Sequence, residues 1–282
     1  MTYLMDAPTE AARIRGKTSR LLIRHHLDWI GLAPGESFVD FGCATGEVLR
    51  EAAALVGPAE VLGIDASADM LECARVEARR QGVENIAYHQ AEVTRMGSSR
   101  LPSNRYDHAW TRFFLEYQPK PVAAVSEMAR VVRTGGRVNL IDIDGNCLWH
   151  FPSTLSAELD EIAADLRTLG FDPHIGRRLG AYAEAAGLVD VRESVEPYHY
   201  IVGAPDAASA AAWRLKIETL RDNYVTQLFP HKASKASVFD DLLRFLLDEG
   251  TMTWSLLHLV QATKPDGWSV GPKAVSQCGG SG

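Results

Sequence analysis

The stretch "VDFGCATGEV", Val39 to Val48, decides how the rest of the chain is read. It opens like the end of an apolar strand, places three small residues between Gly42 and Gly46, and runs into a helical pattern from Glu47. Glycine has no Cβ, so the backbone can turn through left-handed dihedrals there and a ligand can approach it closely. A strand, a tight bend and a helix N-terminus in that order make a cradle for a ligand. Which ligand depends on the residues around it.

Outward from this stretch, short apolar runs alternate with helical patterns. The runs are Ser37 to Phe41, Glu60 to Ile64, Ile86 to His89, Tyr106 to Thr111 and Arg137 to Ile141. One helical pattern has Met70, Leu71, Ala74 and Ala78 on its apolar side and closes at Gly82. Another starts with Pro121, carries Val122, Val125, Ala129 and Val132, and ends before Gly135. Proline suits the first turn of a helix and glycine its end. Strand and helix in alternation predict right-handed βαβ units and a mostly parallel sheet covered on both faces. Such a sheet binds ligands at the carboxyl ends of its strands where the strand order reverses.

Residues 3–30 form an amphipathic pattern that predicts a helix, with Leu21, Leu22, Ile23, Leu27 and Ile30 buried. After the core the pattern changes: 152–187 and 205–249 read as helical, with strand-like segments at Val189 to Val202 and Thr251 to Ala262. Two late strands around a helical insertion predict an antiparallel edge and a helical cap over the ligand side. The expected division is an N-terminal helical segment at 1–35, a cofactor-binding core at 36–150 and lid insertions at 151–187 and 203–250. The final strands fall at 188–202 and 251–265, and a tail at 266–282.

Composition narrows the partners. The chain of 282 residues has a formal net charge of −7 and no Lys/Arg-rich run, which argues against nucleic acid or an anionic membrane as the main partner. Cys43, Cys73, Cys147 and Cys278 show neither CxxC nor Cys/His ligand spacing, so no metal site is expected. No apolar run resembles a signal peptide or a membrane span, and a cytoplasmic location is expected.

Spacing then separates the ligands that a glycine bend can hold. A P-loop needs Lys and Ser/Thr after its last glycine, whereas Glu47 and Val48 follow Gly46. A dinucleotide loop would put a third small residue at position 47, where Glu47 is bulky and would repel a diphosphate. A nucleoside joined to an amino-acid tail has no phosphate. It needs a close backbone and an acidic residue at the second strand's end for its ribose hydroxyls, and "VLGID" supplies Asp65, nineteen residues beyond Gly46.

At this point the chain resembles the class I S-adenosylmethionine-dependent methyltransferases. "VDFGCATG" resembles the family's first motif, and "VLGIDASADMLECAR" its acidic second-strand loop and helix. "YHQAEV" resembles the adenine loop, and "YDHAWTRFFLEYQPKPVAAVSEMARVVRTGGRVNLID" the fourth strand, helix and fifth strand of the ubiquinone and natural-product type. The resemblance implies an α/β, Rossmann-like sheet of seven strands, the last antiparallel, with an N-terminal helical segment and a late helical lid. It implies S-adenosyl-L-methionine as cofactor, S-adenosyl-L-homocysteine as product, a small-molecule methyl acceptor, and a monomer or homodimer.

Carried onto these residues, the cofactor would meet Tyr3, Asp40, Gly42, Cys43, Ala44, Gly46, Asp65, Ala66, Met70, Ala91, Glu92, Val93, Arg112 and Phe113. Ala44 replaces the usual middle glycine and is expected to be tolerated if its dihedrals are not left-handed. Tyr117 stands where the family often has a histidine. His150 in "CLWHFP" is the candidate base, and Phe114, Tyr117, Trp149, His174 and Tyr200 are candidate acceptor contacts. His199 in "PYHY" reads as a structural histidine.

Overall fold

The computed structural model describes residues 19–93 and 101–269, apart from the side chains of residues 146–148. Helix α1 spans Arg20–Ile30, begins at Ser19, whose hydroxyl accepts from the Leu22 amide, and ends at Gly31 in a left-handed cap. The remainder of the helix expected from residue 3, and with it Tyr3, lies outside the described residues.

The core strands are β1 (Phe38–Phe41), β2 (Val61–Asp65), β3 (Ile86–Gln90), β4 (Tyr106–Arg112) and β5 (Val132–Phe151). Between them run α2 (Glu47–Val56), α3 (Ala68–Arg80) and α4 (Pro121–Val131). Beyond them follow α5 (Ser156–Thr168), α6 (Leu179–Ala185), β6 (Val189–Val202), α7 (Ala207–Asn223), α8 (Ala236–Leu246) and β7 (Met252–Thr263).

The strands form one seven-stranded sheet in the order β3-β2-β1-β4-β5-β7-β6. β1 pairs in parallel with both β2 and β4, so the chain leaves β3 and crosses over β2 and β1 to continue at β4. The tips of β1, β2 and β4 are therefore where the order reverses, which is where the sequence places its glycine bend. β7 runs antiparallel to β5 on one side and β6 on the other.

Apolar clusters cover both faces. On one, Val39, Phe41 and Leu140 pack under Val125 and Met128 of α4 and Leu179 and Ala183 of α6. On the other, Phe38, Trp110 and Ile141 pack under Ile23 and Leu27 of α1 and Leu49 and Ala52 of α2. Burying each of the larger aliphatic and phenyl side chains among these contributes about 1.5–3 kcal/mol. The segment 151–187, expected as one lid piece, is divided by its packing. α5 packs with α7 and α8, while α6 packs on the sheet because Leu179 and Ala183 face the core cluster.

β5, β6 and β7 run on past the other tips as a three-stranded ribbon, still paired at Phe151↔Met252↔Val202 after a register shift on each side of β7. The ribbon carries α5, α7 and α8, which share their own core of Leu159, Ile162, Trp213, Ile217, Phe239 and Leu242. Inside this helical group the buried Asp165 accepts hydrogen bonds from Tyr224, Lys232 and Lys235, and they hold its carboxyl below the usual range against the opposing effect of burial. No helix among the described residues is long and apolar enough to cross a membrane.

Candidate functional site

The bend after β1 is wound tightly. The amides of Gly42 and Cys43 both donate to Ile64 O, at 2.8 and 3.0 Å, and the Gly46 amide donates to Cys43 O at 2.9 Å. Gly42, Ala44 and Gly46 have φ values of 80°, 44° and 75°. Ala44 thus sits in the left-handed region, contrary to the condition set for it from the sequence. An L residue there costs roughly 1–2 kcal/mol. The conformation is held by Asp65, whose Oδ2 accepts from the Ala44 amide at 2.9 Å.

Two of these glycines are sterically required. A Cβ on Gly42 would stand 2.6 Å from Cδ2 of Phe114, and one on Gly46 would stand 3.1 Å from Cβ of Ala74. The bend is pressed between the loop after β4 and helix α3, which leaves bare backbone facing the site.

Asp65 ends β2. Its Oδ1 accepts from the Ser67 amide at 2.9 Å, while the capping of α3 falls to Ser67, whose hydroxyl accepts from Met70 N at 3.2 Å. Burial raises the Asp65 carboxyl above its ordinary value, opposed by the amides of Ser67, Ala44 and Ala66. The two carboxylate oxygens together offer about four acceptor positions, more than the three amides use, so a ribose hydroxyl can dock on it.

The loop beyond β3 is tied to the same point. The Ala91 amide donates to Asp65 O at 3.0 Å and Gln90 Nε2 to Ala66 O at 3.0 Å. Here Val93 is buried, Ala91 and Met70 are half-buried, and Glu92 and Ala66 are exposed. Cys43 is buried beside the bend, and burial with the Asp40 and Asp65 charges pushes its thiol up.

Asp40, in β1, and Arg112, at the end of β4, point to the same side of the sheet, since Asp40 pairs with Trp110, two residues before Arg112. Asp40 is 3% exposed. Burial pushes its carboxyl well up, Asp65 adds to the rise, and Arg112 opposes it. Arg112 lies over the Phe113 ring at 4.4 Å, and its buried Nε has no hydrogen-bond partner among the described residues. A buried carboxyl and an orphaned guanidinium nitrogen fit the ammonium and carboxylate of an amino-acid tail, which would satisfy both. The bare bend and the Asp65 carboxylate fit the adenosyl part. The residues present therefore fit S-adenosylmethionine.

Asp142 was not singled out from the sequence. It is fully buried in β5, where its carboxylate accepts from the amides of Phe114 and Glu116, both at 3.2 Å, and Ile143 at 2.9 Å. Those bonds fix the turn in which Phe113 has φ 55° and Phe114 lies on Gly42. The signal was present in "NLIDI": an acidic residue inside an apolar strand run, the same signature as Asp40 in "VDF".

The acceptor-side candidates are scattered. Tyr117 packs on Phe171, ring centroids 5.1 Å apart, at the foot of the lid. Tyr200 is 60% exposed. Trp149 covers Gly145 and faces Arg177 at 5.6 Å and His174 at 6.4 Å. His174 Nδ1 stands 3.4 Å from Asp144, which Arg177 clamps at 2.6 and 2.7 Å.

His150, the candidate base, is 5% exposed. Its Nε2 accepts from the Leu155 amide at 3.3 Å, and its ring meets Phe245 edge-on at 5.3 Å. Its partner on β7, Thr253, lies seven residues from Val260, the partner of Leu140 near the tips. Seven residues make about 23 Å of extended strand. The structure gives His150 the task of joining ribbon to lid, because its basic nitrogen is occupied by backbone. Asp40, Gly42, Cys43, Ala44, Gly46, Asp65, Arg112, Phe113 and Phe114 come together at adjacent tips, whereas Trp149 and His150 belong to the ribbon and His174 to the connection after α5, beside Asp144.

A sheet of this order, with a left-handed small-residue bend and a carboxylate meeting at neighbouring tips, defines the Rossmann-like S-adenosylmethionine-dependent methyltransferase class. The chain belongs to the Methyltransferase domain family, which residues 32–186 match. It is 28% identical over 210 residues to nocamycin O-methyltransferase of Saccharothrix syringae, covering 69% of this chain and 73% of that protein. It is 36% identical over 129 residues to a ubiquinone biosynthesis O-methyltransferase of Alkalilimnicola ehrlichii, covering 46% of this chain and 50% of that one. The chain thus spans about half the length of the ubiquinone-biosynthesis relatives it matches. Among solved structures, the [4+2]-cyclase SpnF superposes with a TM-score of 0.54 at 20% identity, covering 89% of this chain and 84% of that one.

Proposed function

We propose that this protein transfers the methyl group of S-adenosylmethionine to an oxygen, nitrogen or carbon atom of a small metabolite, in secondary metabolism. The observation that carries the reading is the convergence of the Asp65 carboxylate on the left-handed bend at Gly42–Gly46. The similarity to nocamycin O-methyltransferase over most of both chains supports the metabolic setting.

When bound, the cofactor supplies a sulfonium methyl group that is already electrophilic. The protein's part is to hold, align and dry. Asp65 accepts a ribose hydroxyl, and Asp40 and Arg112 take the ammonium and carboxylate of the amino-acid tail. The bare bend lets the adenosyl group approach, and Ala91, Glu92 and Val93 border the base. Phe113 and Phe114, fixed by Asp142, wall the side from which an acceptor comes. The lid over the ribbon excludes water, and alignment of this kind supplies several kcal/mol, up to roughly 7 to 11 in ideal cases.

The test is to incubate the purified full chain with methyl-labelled S-adenosylmethionine and a small-molecule extract. Label in a new small molecule supports the reading. Tight cofactor binding with the label retained on the cofactor would instead mark a protein of this fold that binds the cofactor without transferring its methyl group.

A further inference from the structure

The ribbon of β5, β7 and β6 has its amphipathy reversed. Cross-strand partners share a face and neighbours along a strand alternate, so the row His150↔Thr253↔Ile201 marks one face. That face meets the helices. The His150 ring lies edge-on to Phe245 of α8 at 5.3 Å, and Ile201 packs on the core shared by α5, α7 and α8. Thr253 and Ser255 of β7 are buried on this side. The other face carries Trp149, Phe151, Met252, Trp254, Tyr200 and Val202, in the rows Trp149↔Trp254 and Phe151↔Met252↔Val202.

An antiparallel sheet with one side in water turns its polar residues to that side. Here β7 turns Thr253 and Ser255 to the protein and Met252 and Trp254 outward. The outer face is the open one: Phe151 is 65% exposed, Val202 63%, Tyr200 60% and Trp149 36%. Charge returns at the foot of the face, where Arg177 clamps Asp144 and lies 5.6 Å from the Trp149 ring. An uncharged centre with a polar rim is the anatomy of an interface between proteins.

The area decides what covers it. An aromatic side chain buries about 150–250 Å², so at these exposures Phe151, Tyr200 and Trp149 alone leave roughly 240–400 Å² open. Val202, Met252 and Trp254 join them into one patch. Monomeric proteins rarely leave a continuous apolar patch of more than a few hundred Å² in water. A stable interface buries about 1,200–2,000 Å² in total, a little over half of it apolar. Two copies of this face supply the apolar part of an interface at the lower end of that range.

We propose that the outer face of the ribbon is the contact between two copies of this chain, related by a two-fold axis and packed face to face. A two-fold contact sets a patch against itself, which suits rings that need apolar partners and offer no charge to read. The net charge of −7, with no Lys/Arg-rich run, gives the chain no grip on an anionic membrane. The contact lies on the side of the ribbon away from α7 and α8, so each copy keeps its own cofactor site. It goes beyond the methyl-transfer reading and does not depend on it.

Sedimentation equilibrium of the purified full chain at micromolar concentration tests this. The expected mass is twice that of the 30.9 kDa chain. Val202→Lys and Phe151→Ser should each weaken the dimer roughly 30-fold or more, as the loss of a central anchor does, with the far-UV circular dichroism of the parent. A parent that sediments as a monomer overturns the proposal, and flotation of that monomer with phosphatidylcholine vesicles would assign the face to a lipid surface instead. A dimer that neither substitution weakens places the contact elsewhere and overturns it too. Hydroxyl-radical footprinting of the unaltered chain gives a reading that no variant's folding can obscure. Phe151 and Tyr200 should be protected in the dimer and labelled on dilution to the monomer; equal labelling in both states contradicts the contact.

Discussion

The carboxylate of Asp65 accepts a hydrogen bond from the backbone amide of Ala44 at 2.9 Å, joining the tip of β2 to the bend after β1. One acidic side chain therefore holds a strained loop and remains available to a ligand. Ala44 has φ 44° in a place where glycine would be unstrained. Replacing Ala44 by Gly removes a penalty of roughly 1–2 kcal/mol and adds back about 0.5–1 kcal/mol of chain entropy. A net gain of up to about 1.5 kcal/mol is expected in urea denaturation, with cofactor affinity kept. A loss of stability would mean that the bend relies on the alanine methyl.

Gly42 has no such latitude. Its φ of 80° and the 2.6 Å approach of Phe114 to a would-be Cβ both oppose a side chain. Gly42→Ala should cost about 1–3 kcal/mol in strain and displace Phe114. A fall in melting temperature together with weaker cofactor binding is the expected pair of results. An alanine variant matching the parent in both would refute the tight bend.

Asp142 gives a pH signature. Burial is the largest influence on it and pushes its carboxyl up to about 7, against the amides of Ile143, Glu116, Phe114 and Leu115. The folded state thus holds this proton more tightly than the unfolded chain, whose value is near 3.8. The associated stability is fully present below about 3.8 and is lost as pH rises through about 7. Asp142→Asn, which cannot ionise, should flatten the fall in stability between those two pH values. Unfolding free energies at several pH values check it; an unchanged slope would place the titration elsewhere.

Much of this was legible in the sequence because strand and helix periodicities are local. Val189 to Val202 as a strand, the bend at Gly42–Gly46 and the acid at Asp65 needed only neighbours to be read. What was hidden depends on contacts distant in sequence. Asp142 looks like any acid in a strand until Phe114 and Glu116, twenty-odd residues away, turn their amides to it. His150 looked available because its position after the apolar run Arg137 to Ile141 was visible and its engagement by Leu155 was not. The helical pattern over 152–187 gave no sign that α5 and α6 pack on different cores, since each half is amphipathic alone.

The central claim is that Asp65 and the bend at Gly42–Gly46 hold one molecule of S-adenosylmethionine. Calorimetric titration of S-adenosylmethionine into the parent and into Asp65→Ala tests it most directly. Loss of charge-assisted hydrogen bonds worth about 1.5–3 kcal/mol predicts an affinity lowered roughly 10- to 100-fold. Equal affinities in the two proteins would contradict the account.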